Sequence, residues 1–143
     1  MRKKTALALA LVLALSLALT GCGTRPLPEG MEEASVGETA EGLLALLLDR
    51  DYQGVADAFR GDMKERYQIT GETVQAAMEA VEDAGGYVRT TDILAVGGKK
   101  SKSFDEPYGV AILYCKHEEK DVVYEFSLDT DLNLIGLAVK PKK

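Results

Sequence analysis

At Gly85-Gly86 the apolar residues of this chain change their spacing from helical to alternating, and no other feature limits the fold as much. Upstream, Leu43, Leu44, Leu47 and Leu48 recur at helical spacing and predict a helix over Thr39 to Asp49. Asp51 to Phe59 continues it, with Val55, Ala58 and Phe59 aimed at the same core, and Asp62 to Gln68 reads as a short irregular helical connection. Thr70 or Thr73 is placed to cap a further helix through Val74, Ala77, Met78 and Val81. The glycine pair ends it, because glycine accepts the left-handed backbone at a helix C-terminus. Downstream, period-two alternation predicts strands over Tyr87–Val96, Tyr108–His117, Val122–Leu128 and Leu134–Val139. Their short turns make them antiparallel neighbours. Helices first and four strands afterwards describe an α+β domain, with N-terminal helices packed on one face of a four-stranded antiparallel meander.

The first twenty-two residues do not belong to that domain. Arg2, Lys3 and Lys4 precede an uncharged run from Thr5 to Leu19 built mostly of Ala, Leu and Val, and Leu19-Thr20-Gly21-Cys22 closes it. This is the order of a secretory signal peptide. It is short for a retained transmembrane helix, which needs about twenty apolar residues. The segment resembles a bacterial lipobox. That resemblance implies cleavage between Gly21 and Cys22, a diacylglyceryl group on the Cys22 sulfur, and residence on the extracytoplasmic face of the cell membrane.

Removing residues 1–21 leaves 122 of the 143 residues, enough for one compact domain. The removed piece carries three of the seventeen basic residues and no acidic ones, so 14 Lys+Arg face 23 Asp+Glu, a formal charge of −9. Such a surface repels anionic headgroups and nucleic acid, which excludes a phosphate-tracking role. With Cys22 acylated, only Cys115 remains and no internal disulfide can form. The boundaries read as a signal peptide over 1–21, a lipidated tether over 22–37 rich in Pro, Gly and Glu, a domain over 38–139, and a basic tail over 140–143.

Several local phrases accompany this order: Asp49-Arg50-Asp51-Tyr52 before Val55 and Phe59, Asp62-Met63-Lys64, the helix ending in Gly85-Gly86, and Phe126-Ser127-Leu128-Asp129 turning into Ile135-Gly136-Leu137. Together they resemble a bacterial lipoprotein family built on a domain of unknown function (number 3887), over roughly Glu38 to Val139. The resemblance implies a cystatin-like fold of the nuclear transport factor 2 type, a curled sheet around helices forming a cone that can hold a ligand. It implies no activity.

Candidate chemistry is sparse. Cys115 and His117, two apart on a strand, share a face, but no oxyanion-hole or glycine-elbow pattern accompanies them. One histidine and one free cysteine do not make a zinc site. An isomerase-like site inside the cone would need a carboxylate beside a donor, with Tyr114, Tyr124 and Phe126 as candidate lining and Asp92 or Glu125 as candidate carboxylates. Glu125 alternates to the face opposite Tyr124, so base and donor do not converge. Asp129-x-Asp131-x-Asn133 begins like a calcium loop, but Leu134 and Lys140 stand where glycine and glutamate belong. Lys99-Lys100-Ser101-Lys102 is a basic loop that would meet an anionic glycan or lipid, or simply water. The expectation is a non-catalytic envelope lipoprotein with no cofactor and no metal. It would bind a small apolar ligand in the cone or another envelope protein on the sheet. A cavity enzyme and a homodimer formed through the sheet are the alternatives.

Overall fold

The computed structural model describes residues 25–142. The signal segment, Gly21 and Cys22 lie outside the described residues. Helix α1 spans Glu33–Leu48 and buries Val36, Ala40, Leu43, Leu44 and Leu47 along one stripe. It begins six residues before Thr39, where the sequence pattern placed its start. Val36 extends the stripe one turn toward the N-terminus, and Glu33 sits favourably in the first turn of the helix dipole. The tether expected over 22–37 is corrected accordingly over its described residues: 33–37 is helix, and the chain over 25–31 is docked. Met31 is buried, Leu27 packs against the core, and the Arg25 carbonyl accepts a hydrogen bond from Gly97 N at 2.8 Å.

Three short helices follow. Helix α2 (Tyr52–Ala58) is capped by the Asp51 carboxylate, which accepts from Gly54 N. Helix α3 (Gly61–Arg66) buries Met63. Helix α4 (Gly71–Met78) starts from a reciprocal cap in which the Thr70 hydroxyl accepts from Thr73 N and Thr70 N donates to the Thr73 hydroxyl. It runs into a 3₁₀ turn over Glu79–Ala84 that ends at Gly85, whose φ of +80° explains the glycine there.

The sheet is antiparallel in the order β1-β2-β3-β4, with β1 at Tyr87–Gly97, β2 at Tyr108–His117, β3 at Asp121–Asp129 and β4 at Leu134–Pro141. It is not closed into a barrel, and the α+β expectation holds. Strand β4 takes in Lys140 and Pro141, so the basic tail expected over 140–143 is corrected: Val123 pairs with Lys140, and Lys142 N donates to the Asp121 carbonyl.

Two cores result. On the helix-facing side, Leu113, Cys115, Val122, Tyr124, Phe126, Leu128 and Val139 meet α1, α2 and α4. On the opposite side, Val96, Tyr108, Val110 and Ile135 meet Met63 and Phe104. The space that a cone would leave open is occupied: Leu113, Tyr124, Phe126 and Leu128 are all fully buried.

Candidate functional site

Polar groups gather at the end of the sheet where the 3₁₀ turn docks. Strand alternation puts Cys115 and His117 on the helix-facing side of β2, and the β1–β2 register sets Thr90 opposite Cys115. Tyr124 reaches the same place from β3. The turn after Gly85 is held by Glu118, whose carboxylate accepts from Gly86 N at 2.7 Å while Glu118 N donates to the Gly86 carbonyl. A Cβ at Gly85 would come within 3.0 Å of Glu118 Cβ.

His117 is buried and both ring nitrogens are engaged. Nδ1 lies 2.9 Å from the Gly85 carbonyl, and Nε2 lies 2.9 Å from the Tyr124 hydroxyl. A carbonyl only accepts, so Nδ1 carries the proton and Nε2 accepts from Tyr124. Burial pushes the Tyr124 hydroxyl well above the ordinary tyrosine range, reinforced by neighbouring Cys115 and Tyr87. The Cys115 thiol is also pushed up by burial, partly offset by Thr90, whose hydroxyl lies 3.5 Å from the sulfur. Tyr87 closes the group, with its hydroxyl 2.8 Å from Thr90 Oγ1 and its ring edge-on to His117.

This arrangement is a poor nucleophile site. The attacking species at cysteine is the thiolate, and burial here disfavours it. The base that would generate it spends its lone pair on Tyr124. Each polar atom answers to another inside the fold, which is how buried polar groups avoid their desolvation cost.

The other residues singled out in the sequence are scattered. Phe126 is buried in the helix-side core, and Tyr124 is buried beside it, so neither lines an open cavity. Tyr114 pairs with Val123 and therefore faces the opposite side from Tyr124; Lys142 Nζ sits 5.4 Å above its ring. Glu125 is buried on that opposite side too, with Lys140 Nζ 2.8 Å from its Oε2 but poorly aligned for a hydrogen bond. Asp92 is exposed, and its carboxylate accepts from Ile93 N. Asp129 serves a turn and a clamp: its oxygens accept from Asp131 N, Asn133 N and Arg60. Arg60 also grips Asp62 and Glu106. Sequence reasoning missed this clamp, because Arg60 and Glu106 are 46 positions apart and no periodicity joins them.

The open part of the molecule is β1. It is an edge strand, largely exposed, with Tyr87, Val88 and Leu94 presenting apolar surface. Beside it runs a groove of about 660 Å³ lined by Pro26, Leu27, Met31, Ile93, Leu94 and Ala95. Among the described residues no helix is long and apolar enough to cross a membrane.

No family model matches this chain, and no curated protein matches it. A solved structure does: the NMR structure of a protein from Ruminococcus gnavus ATCC 29149 superposes with a TM-score of 0.65 at 24% identity, covering 80% of this chain and 96% of that one. The likeness is one of fold.

Proposed function

We propose that this chain is a lipid-anchored extracytoplasmic lipoprotein whose domain binds another envelope protein and performs no chemistry of its own. The observation that carries the location is the charged, apolar and small-residue order of residues 2–21 ending at Cys22. The resemblance to the uncharacterised lipoprotein family belongs to the same proposal. Two features of the domain support a protein partner over a small apolar ligand. The helix-facing side of the sheet is filled by its own side chains, and the polar group around His117 is satisfied internally. Strand β1, by contrast, is an edge strand that the strap meets at its Gly97 end and that leaves Tyr87, Val88 and Leu94 exposed, a template for strand addition.

Fractionation with photo-crosslinking tests this. Wild-type chain is expected in the membrane fraction, and a Cys22→Ala chain that has lost residues 1–21 outside it. A photoreactive side chain at Val88 is expected to give a discrete protein adduct that Leu94→Lys abolishes. Retention in the membrane of a Cys22→Ala chain that has lost residues 1–21 and carries no lipid by mass would contradict the anchor, and an adduct pattern indifferent to Leu94 would contradict the binding strand.

A further inference from the structure

The N-terminal segment leaves the domain at the end of the sheet that carries the basic loop. Gly97 N donates to the Arg25 carbonyl, and a Cβ at Gly97 would lie 3.2 Å from Arg25 Cβ. Immediately after Gly97 the chain enters Gly98 to Ser103, with Lys99, Lys100 and Lys102 exposed. The loop has a fixed root: Gly98 N donates to the Tyr108 carbonyl, and the Tyr108 hydroxyl donates to the Lys99 carbonyl at 3.0 Å. Burial raises the Tyr108 pKa, partly offset by the Lys99 bond and the Arg25 charge. The strap over Arg25–Met31 is pinned at its far end by buried Met31.

Cys22 is three residues before Arg25, and an extended chain of that length reaches at most about 10 Å. The Debye length near physiological salt is also about 8–10 Å. Charges at this end of the sheet would therefore feel the bilayer surface, while those at the far end are screened from it. The far end lies roughly 30 Å away along a ten-residue strand. Carboxylates share this end of the sheet, with Asp62, Glu106 and Asp129 gathered on Arg60, Asp131 exposed in the β3–β4 turn, Asp105 in the loop, and Glu29 and Glu33 on the strap side, while the three lysines are concentrated within four residues of the loop. Among the described residues none of the three lysines has a carboxylate partner.

We propose that Arg25, Lys99, Lys100 and Lys102 form a docking surface for anionic phospholipid headgroups, holding the domain upright on its own membrane. The β2–β3 turn then points outward and the β1 edge stands free for a partner. This rests on the lipid anchor at Cys22. It reverses, locally, the repulsion that the overall charge of −9 would produce. Each lysine held against an anionic surface strengthens attachment on the order of fivefold.

The test uses the full mature chain in vesicles carrying nitroxide-labelled lipid. One fluorophore is attached at Ser103→Cys in the loop and another, in a separate preparation, at Glu119→Cys in the β2–β3 turn. Buried Cys115 is shielded from the label. In phosphatidylglycerol-rich vesicles quenching at position 103 is expected to exceed that at 119 severalfold. The difference is expected to fall to that imposed by the tether alone in pure phosphatidylcholine and in the variant carrying Lys99→Ser, Lys100→Ser and Lys102→Ser, and a difference unchanged by either would overturn the docking. Equal quenching at both positions in anionic vesicles, with a chain whose mass includes the lipid at Cys22, would overturn the docking alone. A purified native chain whose mass lacks that lipid would overturn the anchor and the docking together.

Discussion

The two ends of the sheet treat their polar groups in opposite ways. At the 3₁₀ end, Cys115, His117 and Tyr124 turn inward and bond one another, Thr90 or the Gly85 carbonyl, and half-buried Thr90 and exposed Tyr87 extend the group to its rim. At the other end, Lys99, Lys100 and Lys102 turn outward with no partner among the described residues. Chemistry-bearing residue types are concentrated at the first end, yet their mutual satisfaction assigns them to stability. The second end also holds the Arg60 clamp, but its three lysines meet no carboxylate among the described residues, and their use depends on something outside the molecule. Residue type alone would have ranked the two ends the other way.

Substitutions can break or sharpen this contrast. The largest effect is expected from Phe126→Ala, which empties the helix-side core between the two ends. It should cost about 3–5 kcal/mol in urea unfolding, and a much smaller loss would mean the inner face is not packed as described. Tyr124→Phe removes the hydroxyl bonded to His117 Nε2 and leaves a buried acceptor without that partner. About 1–3 kcal/mol should be lost by the same measurement, with Cys115 still slow to react with iodoacetamide. A neutral Tyr124→Phe would remove the inward-satisfied group from the account.

Arg60→Ala should cost about 1–2 kcal/mol near neutral pH, since Asp129 keeps its turn bonds while Asp62 and Glu106 are partly in water. Its pH signature is specific. Arg60 holds the Asp62 carboxyl below its ordinary value of 3.8. That contribution is present above the ordinary value and is lost as pH falls through the depressed one. Unfolding measured across the acid range should show wild type and Arg60→Ala converging below about pH 4. Parallel curves would contradict the clamp. The smallest effect is expected from the triple lysine-to-serine variant, within about 0.5 kcal/mol of wild type, because those side chains support nothing inside the fold.

The helices and strands were legible because their signals are local. Val110-Ala111-Ile112-Leu113-Tyr114-Cys115 alternates without interruption, and its strand ends at His117 as the pattern indicates. Of the two residues the pattern offered as a cap, Thr70 is the one that caps α4, with Thr73 answering it. The start of α1 was less legible. Glu32-Glu33-Ala34-Ser35 is polar, and only the tertiary burial of Val36 draws that turn into the helix. The strap over Arg25–Met31 reads as linker because Pro26, Pro28 and Gly30 break regular structure. Its docking depends on Gly97, more than sixty residues away, which no window along the chain can see. The His117–Tyr124 bond was not legible: alternation joins His117 to Cys115 on one strand and Tyr124 to Phe126 on another, and only the β2–β3 register brings the two faces together. The acceptor role of Nε2 follows from the Gly85 carbonyl at the other nitrogen.

Placement at the bilayer is the claim on which the rest depends, and the intact mass of the native chain from its own cells tests it most directly. The account predicts a polypeptide beginning at Cys22 whose mass exceeds that of the bare sequence by a diacylglyceryl group. A chain retaining residues 1–21, or one beginning near Cys22 with an unmodified thiol, would contradict it.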